Sequence, residues 1–180
     1  MDEHQPDEGA ALATRANPAT FAQVYRQYAQ HIFRYLLTKV SNRQDAQDLT
    51  AQTFAAALQK FDGYRAEGSL AAWLTVIARN HAVNHYRRSR HEIALDDEMP
   101  LFAPATEEIV GQRLRMANVL AALERLPEDR AEVIRLRIFG ELSTAETAQV
   151  MGKSEAAVKM LLLRALRDLR QSLKLEESEP

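Results

Sequence analysis

The stretch 142–173, LSTAETAQVMGKSEAAVKMLLLRALRDLRQSL, is the most diagnostic part of the second half of the chain. Ser143 and Glu146 have the spacing of a capping box, which predicts the start of a short helix. Gly152 would end that helix, and Ser154 would cap a second, longer and more basic one. A short helix, a tight glycine turn and a longer helix together predict a helix-turn-helix motif.

The longer of these two helices carries a face that favours DNA binding. Lys159, Met160, Leu163 and Arg164 stand at positions i, i+1, i+4 and i+5, so they share one side of the helix. Basic charge on such a motif is typical of a DNA-binding protein, although helix pairs of this kind can also be purely architectural. The two apolar members could contact thymine methyl groups or pack on another helix.

Two further helices precede this motif in the second half. Apolar periodicity predicts one of them over about 109–126, and Pro127 suits the start of the other. The second is expected to end at Phe139 and Gly140, with Gly140 as a left-handed C-cap.

A basic strip in the first half, RNHAVNHYRRSRH over 79–91, also bears on function. Its arginines suit phosphates, Asn80 and Asn84 suit base edges, and Tyr86 suits stacking, which is the mixture that single-stranded nucleic acid requires. On composition alone, a solvated basic face explains the strip equally well.

Two groups of residues raise the question of a metal or catalytic site. His81 and His85 share a helix face as metal-ligating pairs do, but the neighbouring arginines would repel a cation and the chain has no cysteine. Asp45 and Asp48 lack a matching nucleophile or base, so helix-dipole complementarity or a protein-binding edge is the simpler interpretation. We therefore predict no catalytic residue, no metal and no cofactor.

The first half reads as three amphipathic helices, with a glycine-containing loop before Ser69, which would cap the third. The sequence thus predicts an all-α fold of two small helical domains joined by a flexible acidic linker. The expected boundaries are an acidic tail at 1–17, a first domain at 18–91, the linker at 92–108, a second domain at 109–175 and a tail at 176–180.

Charge is segregated along the chain. The formal net charge is only −2, yet the linker holds six acidic residues and no basic one. No apolar run approaches the ~18 residues of a membrane-spanning helix, and the N-terminus lacks the order of a signal peptide. We expect a cytoplasmic protein without membrane insertion.

The two halves together resemble a bacterial extracytoplasmic-function (ECF, group four) RNA polymerase sigma factor. The resemblance covers about 21–91 and 120–173, and its blocks appear in the order typical of the family. The blocks are FAQVYRQYAQHIFRYL, DAQDLTAQTFAAALQKFDGYRAEGSLAAWLTVIARNHAVNHYRRSR, LAALERLPEDRAEVIRLRIFGELSTAETAQVMGKS and AAVKMLLLRALRDLR.

The resemblance implies a non-enzymatic protein that binds core RNA polymerase and directs promoter recognition, promoter melting and transcription initiation. Asp45, Asp48 and Gln52 would contact the polymerase, and the linker would thread toward its active-centre and RNA-exit channels. The helix-turn-helix would place Lys159, Met160, Leu163 and Arg164 on the minus-thirty-five element. The melted minus-ten strand would meet Tyr64, Ser69, Ile77, Asn80, Asn84, Arg87 and Arg88.

The sequence departs from the family pattern at three positions. Gln52 stands where an acid is common, Leu161 where arginine is common, and Leu163 where an aromatic residue or histidine is common. The family also implies control by a separate anti-sigma protein or by expression level. Two other classes stay open on the residues alone: an autonomous duplex-binding regulator that dimerises through its first domain, and a metal-dependent enzyme.

Overall fold

The computed structural model describes residues 18–40, 42–61, 69–92 and 107–176, with side chains described for 21–40, 42–61, 69–88 and 115–173. Every long regular element within these ranges is helical, which confirms the all-α prediction. The first domain contains α1 (Pro18–Leu37), α2 (Arg43–Lys60) and α3 (Leu70–Glu92). The second contains α4 (Glu107–Glu124), α5 (Glu128–Ile134), α6 (Thr144–Met151) and α7 (Glu155–Glu176).

The three helices of the first domain pack around one apolar core. Buried α1 residues recur at three- and four-residue steps, at Val24, Tyr28, Ile32 and Tyr35, so one stripe of the helix faces α2 and α3. At the start of α2 the Asn42 side chain accepts a hydrogen bond from the Asp45 N–H at 2.8 Å. The Ser69 hydroxyl accepts from the N–H of Ala71 at 3.2 Å, which confirms the predicted cap of α3.

The helix-turn-helix forms as its local signals predict. The Ser143 hydroxyl accepts from the Glu146 N–H at 3.2 Å, and the Glu146 carboxylate accepts from the Ser143 N–H at 2.6 Å. Gly152 ends α6 in the left-handed conformation at φ 62°. The Ser154 hydroxyl then accepts from the Ala157 N–H at 3.2 Å and caps α7. Because each signal satisfies backbone groups within a few residues, the motif follows from its own sequence.

The left-handed C-cap predicted at Gly140 is wrong. Gly140 has φ −80°, and the left-handed residue is Glu141 at φ 55°. Residues Arg135–Phe139 form a π-helical turn after α5, in which the Gly140 N–H reaches the Arg135 carbonyl at 2.8 Å. This wider turn carries the chain one residue further before it reverses. Glycine suits position 140 because there is little room for a side chain: a Cβ there would lie 3.0 Å from the Leu136 carbonyl oxygen.

The two domains pack directly against each other. Leu136, Leu142 and Val150 of the second domain join the core of the first, where α3 meets α6 and α1 meets the π-helical turn. The second domain keeps a smaller core of its own around α5, α6 and α7. The buried residues of that core are Leu123, Val133, Ile134, Ala148, Val158 and Ala165.

Across the described ranges, none of the helices combines the length and the apolar character needed to cross a bilayer.

Candidate nucleic-acid interface

The predicted minus-ten residues of α3 lie largely on one exposed face. Asn80, Asn84, Arg87 and Arg88 are all exposed, and their spacing of four, three and one places them along the same side of the helix. These four side chains therefore offer two amides and two guanidinium groups to a single ligand.

The other predicted minus-ten residues are placed differently. Ile77 is only 7% exposed and packs in the core of the first domain, so its side chain does not join the strip. Ser69 is half-buried at the start of α3, where its hydroxyl bonds the Glu146 carboxylate of the second domain. Tyr64 lies outside the described residues.

His81 and His85 of the strip have separate neighbours. His85 Nε2 lies 3.1 Å from Asp45 Oδ2 on α2. Burial lowers the pKa of His81, and the Lys60 charge lowers it further, so His81 is neutral at pH 7. Within the part of the chain that is described, no three His, Asp or Glu side chains are grouped to hold a metal ion.

The predicted polymerase-contacting residues follow one edge of α2. Asp48 and Gln52 are exposed, and Asp48 Oδ1 accepts a hydrogen bond from Gln44 Nε2 at 3.1 Å. Asp45 is half-buried because its carboxylate pairs with His85 and accepts from Asn42 Nδ2 at 2.8 Å. The edge thus presents the exposed Asp48 carboxylate, the exposed Gln52 amide and the Asp45 carboxylate, which already contacts α3.

The predicted minus-thirty-five face of α7 is open. Met160 and Leu163 are 51% and 56% exposed, and Lys159 and Arg164 are exposed beside them. Val158 on the opposite side is fully buried and fixes the rotation of the helix against α6. In this packing the two apolar residues face solvent and do not fill a core.

A cluster of charged side chains between the domains was not predicted. Glu132 of α5 is buried, with a side chain only 3% exposed. Its carboxylate accepts from the Tyr35 hydroxyl at 2.8 Å and lies 2.5 Å from Lys39 Nζ and 3.6 Å from Arg79 Nε. Arg135 Nη1 of its own domain stands 4.0 Å away. The buried carboxylate is therefore matched by a donor and several cations, as burial of a charge requires.

The charges of this cluster are set by their surroundings. Burial raises the pKa of the Tyr35 hydroxyl well above its ordinary value, and the Glu132 carboxylate raises it further, so Tyr35 stays a donor. Burial also acts to raise the pKa of Glu128, but Lys39 and then Arg135 lower it overall. The Lys39–Glu128 contact is thus present at neutral pH and is lost as pH falls through that lowered pKa.

A second set of charges links the domains at the left-handed residue. Glu141 pairs with Arg34, and its other carboxylate oxygen lies 3.3 Å from His31 Nδ1. Both partners belong to α1, about one turn apart. A non-glycine residue with positive φ thus directs its carboxylate across the domain boundary.

Two family models match the chain, one over each domain. The model described as sigma-70 region 2 matches residues 24–92, and the model described as sigma-70 region 4 matches residues 116–169. The chain belongs to the ECF sigma factors of the sigma-70 family. The α3 strip and the α2 edge thus fall within region 2, and the helix-turn-helix falls within region 4.

Curated relatives agree with this family. The chain is 37% identical to the ECF RNA polymerase sigma factor BldN of Streptomyces coelicolor over 158 residues, which are 85% of this chain and 60% of BldN. It is 30% identical to the RNA polymerase sigma factor YlaC of Bacillus subtilis over 155 residues, which are 83% of this chain and 90% of YlaC. The chain thus spans less than two thirds of BldN but most of YlaC.

Solved structures share the arrangement of helices. CnrH, in complex with the cytosolic domain of CnrY, superposes with a TM-score of 0.72 at 25% identity over 96% of this chain and 99% of that one. The sigma factor RpoE of Bartonella quintana, in complex with the anti-sigma factor NepR, gives a TM-score of 0.67 at 25% identity over 86% and 96%. Both likenesses extend over the two domains.

Proposed function

We propose that this sigma factor binds core RNA polymerase and directs promoter recognition, promoter melting and transcription initiation. The observation that carries the proposal is the pair of nucleic-acid-compatible surfaces in one chain. One is an exposed strip of amides and guanidinium groups on a region 2 helix, and the other is an exposed basic face on a helix-turn-helix. We assign it no catalytic residue and no cofactor, and place its action in the cytoplasm with the polymerase.

The α3 strip is proposed to hold the melted minus-ten strand. Asn80 and Asn84 would read base edges with their amides, while Arg87 and Arg88 would contact phosphates. Taking a base out of the stack costs a few kcal/mol, and a pocket that stacks and hydrogen-bonds it offsets that cost. Ser69 at the start of α3 and Tyr64 before it would complete the pocket, with Ile77 supporting it from the core.

The exposed face of α7 is proposed to enter the major groove of the minus-thirty-five element. Lys159 and Arg164 would contact phosphates or guanine edges, and Met160 and Leu163 would contact thymine methyl groups. Because Leu163 is more than half exposed on this face, it is available to DNA.

The α2 edge is proposed as the polymerase contact. Asp48 and Gln52 are exposed there, and Asp45 would contribute from beside them. Since Asp45 already pairs with His85, Asp48 is expected to carry the larger share of the charge interaction. We also propose an anti-sigma protein as a regulator, supported by the likeness to RpoE solved with NepR.

Assembly and transcription in vitro test the proposal against an autonomous regulator. The chain is added to core polymerase and genomic DNA fragments, and RNA 5′ ends are mapped. We expect a stable complex with core, discrete start sites that require the chain, and weak binding of duplex promoter DNA by the chain alone. Tight binding to a palindromic duplex without polymerase, and no start sites with it, would overturn the proposal.

A further inference from the structure

Three groups of the first domain converge on one carboxylate of the second. The Tyr35 hydroxyl lies 2.8 Å, Lys39 Nζ 2.5 Å and Arg79 Nε 3.6 Å from the carboxylate oxygens of Glu132. Tyr35 lies in the last turn of α1, Lys39 lies in the turn that follows this helix, and Arg79 lies on α3. One neutral donor and two cations of the first domain therefore surround a single anion.

This arrangement has the chemistry of an oxyanion site. Carboxylates and phosphates accept the same charge-assisted hydrogen bonds from lysine, arginine and hydroxyl groups. Tyr35 is fully buried and Lys39 is mostly buried, with a side chain 15% exposed, so two of the three groups are held in place by packing. Lys39 Nζ also lies 6.0 Å from the centroid of the Tyr35 ring, which keeps the two groups together.

The site is continuous with the α3 strip. A cleft of about 560 Å³ between the domains is lined by Lys39, Arg79, Tyr86 and Arg87. Arg79 opens the strip and also faces Glu132, while Arg87 belongs to the proposed minus-ten contacts. A basic path therefore runs from the strip along the cleft to the end of α1, and the second domain covers its far end.

We propose that Tyr35, Lys39 and Arg79 form a phosphate-binding site for the melted promoter strand, and that Glu132 fills it as a phosphate substitute while the domains are packed together. The inference rests on the proposed function, because the ligand is the strand held by α3. Strand binding and this packing exclude each other, so each weakens the other by the same factor. Glu128, 3.0 Å from Lys39 Nζ, adds to the acidic side of the contact.

The site can be tested by measuring how tightly the full chain binds a fluorescein-labelled 20-nucleotide oligo(dT). Fluorescence anisotropy at low salt reports this affinity. Glu132→Gln keeps the shape of the side chain and removes its charge. We expect this variant to bind about tenfold tighter than the unsubstituted chain, within the usual range for coupled sites. The matched control is Glu124→Gln, which changes net charge equally and lines the same cleft, and we expect less than a twofold change from it.

A second substitution tests whether the tighter binding of Glu132→Gln arises at the proposed site. Lys39→Ala in the Glu132→Gln background should remove most of the tighter binding and lower the salt slope by about 0.7 for the lost phosphate contact. Arg26→Ala removes one positive charge from an exposed position of α1 and should leave the gain in place. If circular dichroism shows that Glu132→Gln does not fold, Glu128→Gln replaces it, because the Glu128 side chain is 70% exposed. We expect this variant to bind the oligonucleotide more tightly than the unsubstituted chain, by a smaller factor than Glu132→Gln.

Two results would overturn the inference. One is equal tightening by Glu132→Gln and Glu124→Gln, which would make the effect a matter of net charge alone. The other is undiminished binding by Lys39→Ala in the Glu132→Gln background. Failure of the proposed function would give a different result. Core polymerase with this chain would then make no promoter-specific transcripts, whichever variant binds the oligonucleotide most tightly.

Discussion

The two surfaces proposed to contact nucleic acid differ in the contacts that the rest of the chain makes with them. At the α3 surface, Ser69 bonds Glu146 and Arg79 pairs with Glu132, so carboxylates of the second domain already occupy part of it. At the α7 surface, Lys159 and Arg164 stand exposed, and among the described residues no carboxylate lies within 4 Å of either. One surface is coupled to domain packing and the other is independent of it.

Under the proposed function, this difference would separate recognition of duplex DNA from binding of the melted strand. Because the α7 face is already exposed in the packed conformation, no domain movement would be needed before it contacts duplex DNA. Under the proposed function, the α3 strip would be complete only after the second domain moves away from it, which would suit a step that follows assembly with the polymerase.

The largest change in stability is expected from a substitution in the apolar core that the two domains share. Leu136 is fully buried in the core that spans both domains, so Leu136→Ala should lower the free energy of unfolding by about 2–5 kcal/mol. Leu163→Ala on the open α7 face, where the side chain is 56% exposed, should change it by less than about 0.5 kcal/mol. Urea unfolding followed by circular dichroism measures both free energies. Similar losses of stability in the two variants would show that the α7 face is as tightly packed as the core between the domains.

The next effect concerns the strip itself. Asn80→Ala should weaken open-complex formation by about tenfold, because one base contact worth ~1–3 kcal/mol is lost. Assembly with core polymerase should be unchanged, since Asn80 lies on α3 and the proposed polymerase edge lies on α2. Abortive-initiation kinetics and a core-binding titration separate the two steps. Arg26→Ala serves as the control, and loss of assembly by Asn80→Ala would disprove the assignment.

A comparable or smaller effect is expected on the open face. Arg164→Ala should weaken minus-thirty-five recognition by ~1–3 kcal/mol if the guanidinium reads a base, and its effect should then disappear on a promoter with that base changed. If Arg164 contacts phosphate, the loss should be the same for every sequence. Competition between promoter variants for the assembled polymerase distinguishes these cases, and an unchanged affinity throughout would place the reading face elsewhere on α7.

The smallest effect tests the charge link at the left-handed residue. Glu141→Ala and Glu141→Gly both remove the carboxylate that faces Arg34, but only glycine adopts φ 55° without strain. The glycine variant should therefore be more stable than the alanine variant by about 1 kcal/mol. Thermal unfolding of the pair measures this difference directly, and equal melting temperatures would show that the backbone there is not strained.

The parts of the fold that the sequence predicted are those set by neighbouring residues. The Ser143–Glu146 capping box, the Gly152 stop and the Ser69 cap each satisfy backbone groups within a few positions, so local pattern suffices. The apolar periodicity of the first half likewise predicted amphipathic helices, and α1 buries one stripe of its surface.

The parts that were missed depend on contacts between distant residues. Tyr35 and Glu132 are 97 positions apart, and an acid in the helix EDRAEVI reads as an ordinary surface residue until the two domains are placed together. The π-helical turn that moved the left-handed position from Gly140 to Glu141 likewise arises where Leu136 and Leu142 pack into the other domain. Neither residue type nor spacing marks these features.

Permanganate footprinting tests most directly whether the α3 strip holds melted promoter DNA. On a promoter mapped with core polymerase and this chain, unpaired thymines in the minus-ten region should become reactive. Asn80→Ala, and Arg87→Ala combined with Arg88→Ala, should sharply reduce that reactivity while protection of the minus-thirty-five element persists. Full thymine reactivity in both variants would show that the α3 strip does not hold the melted strand.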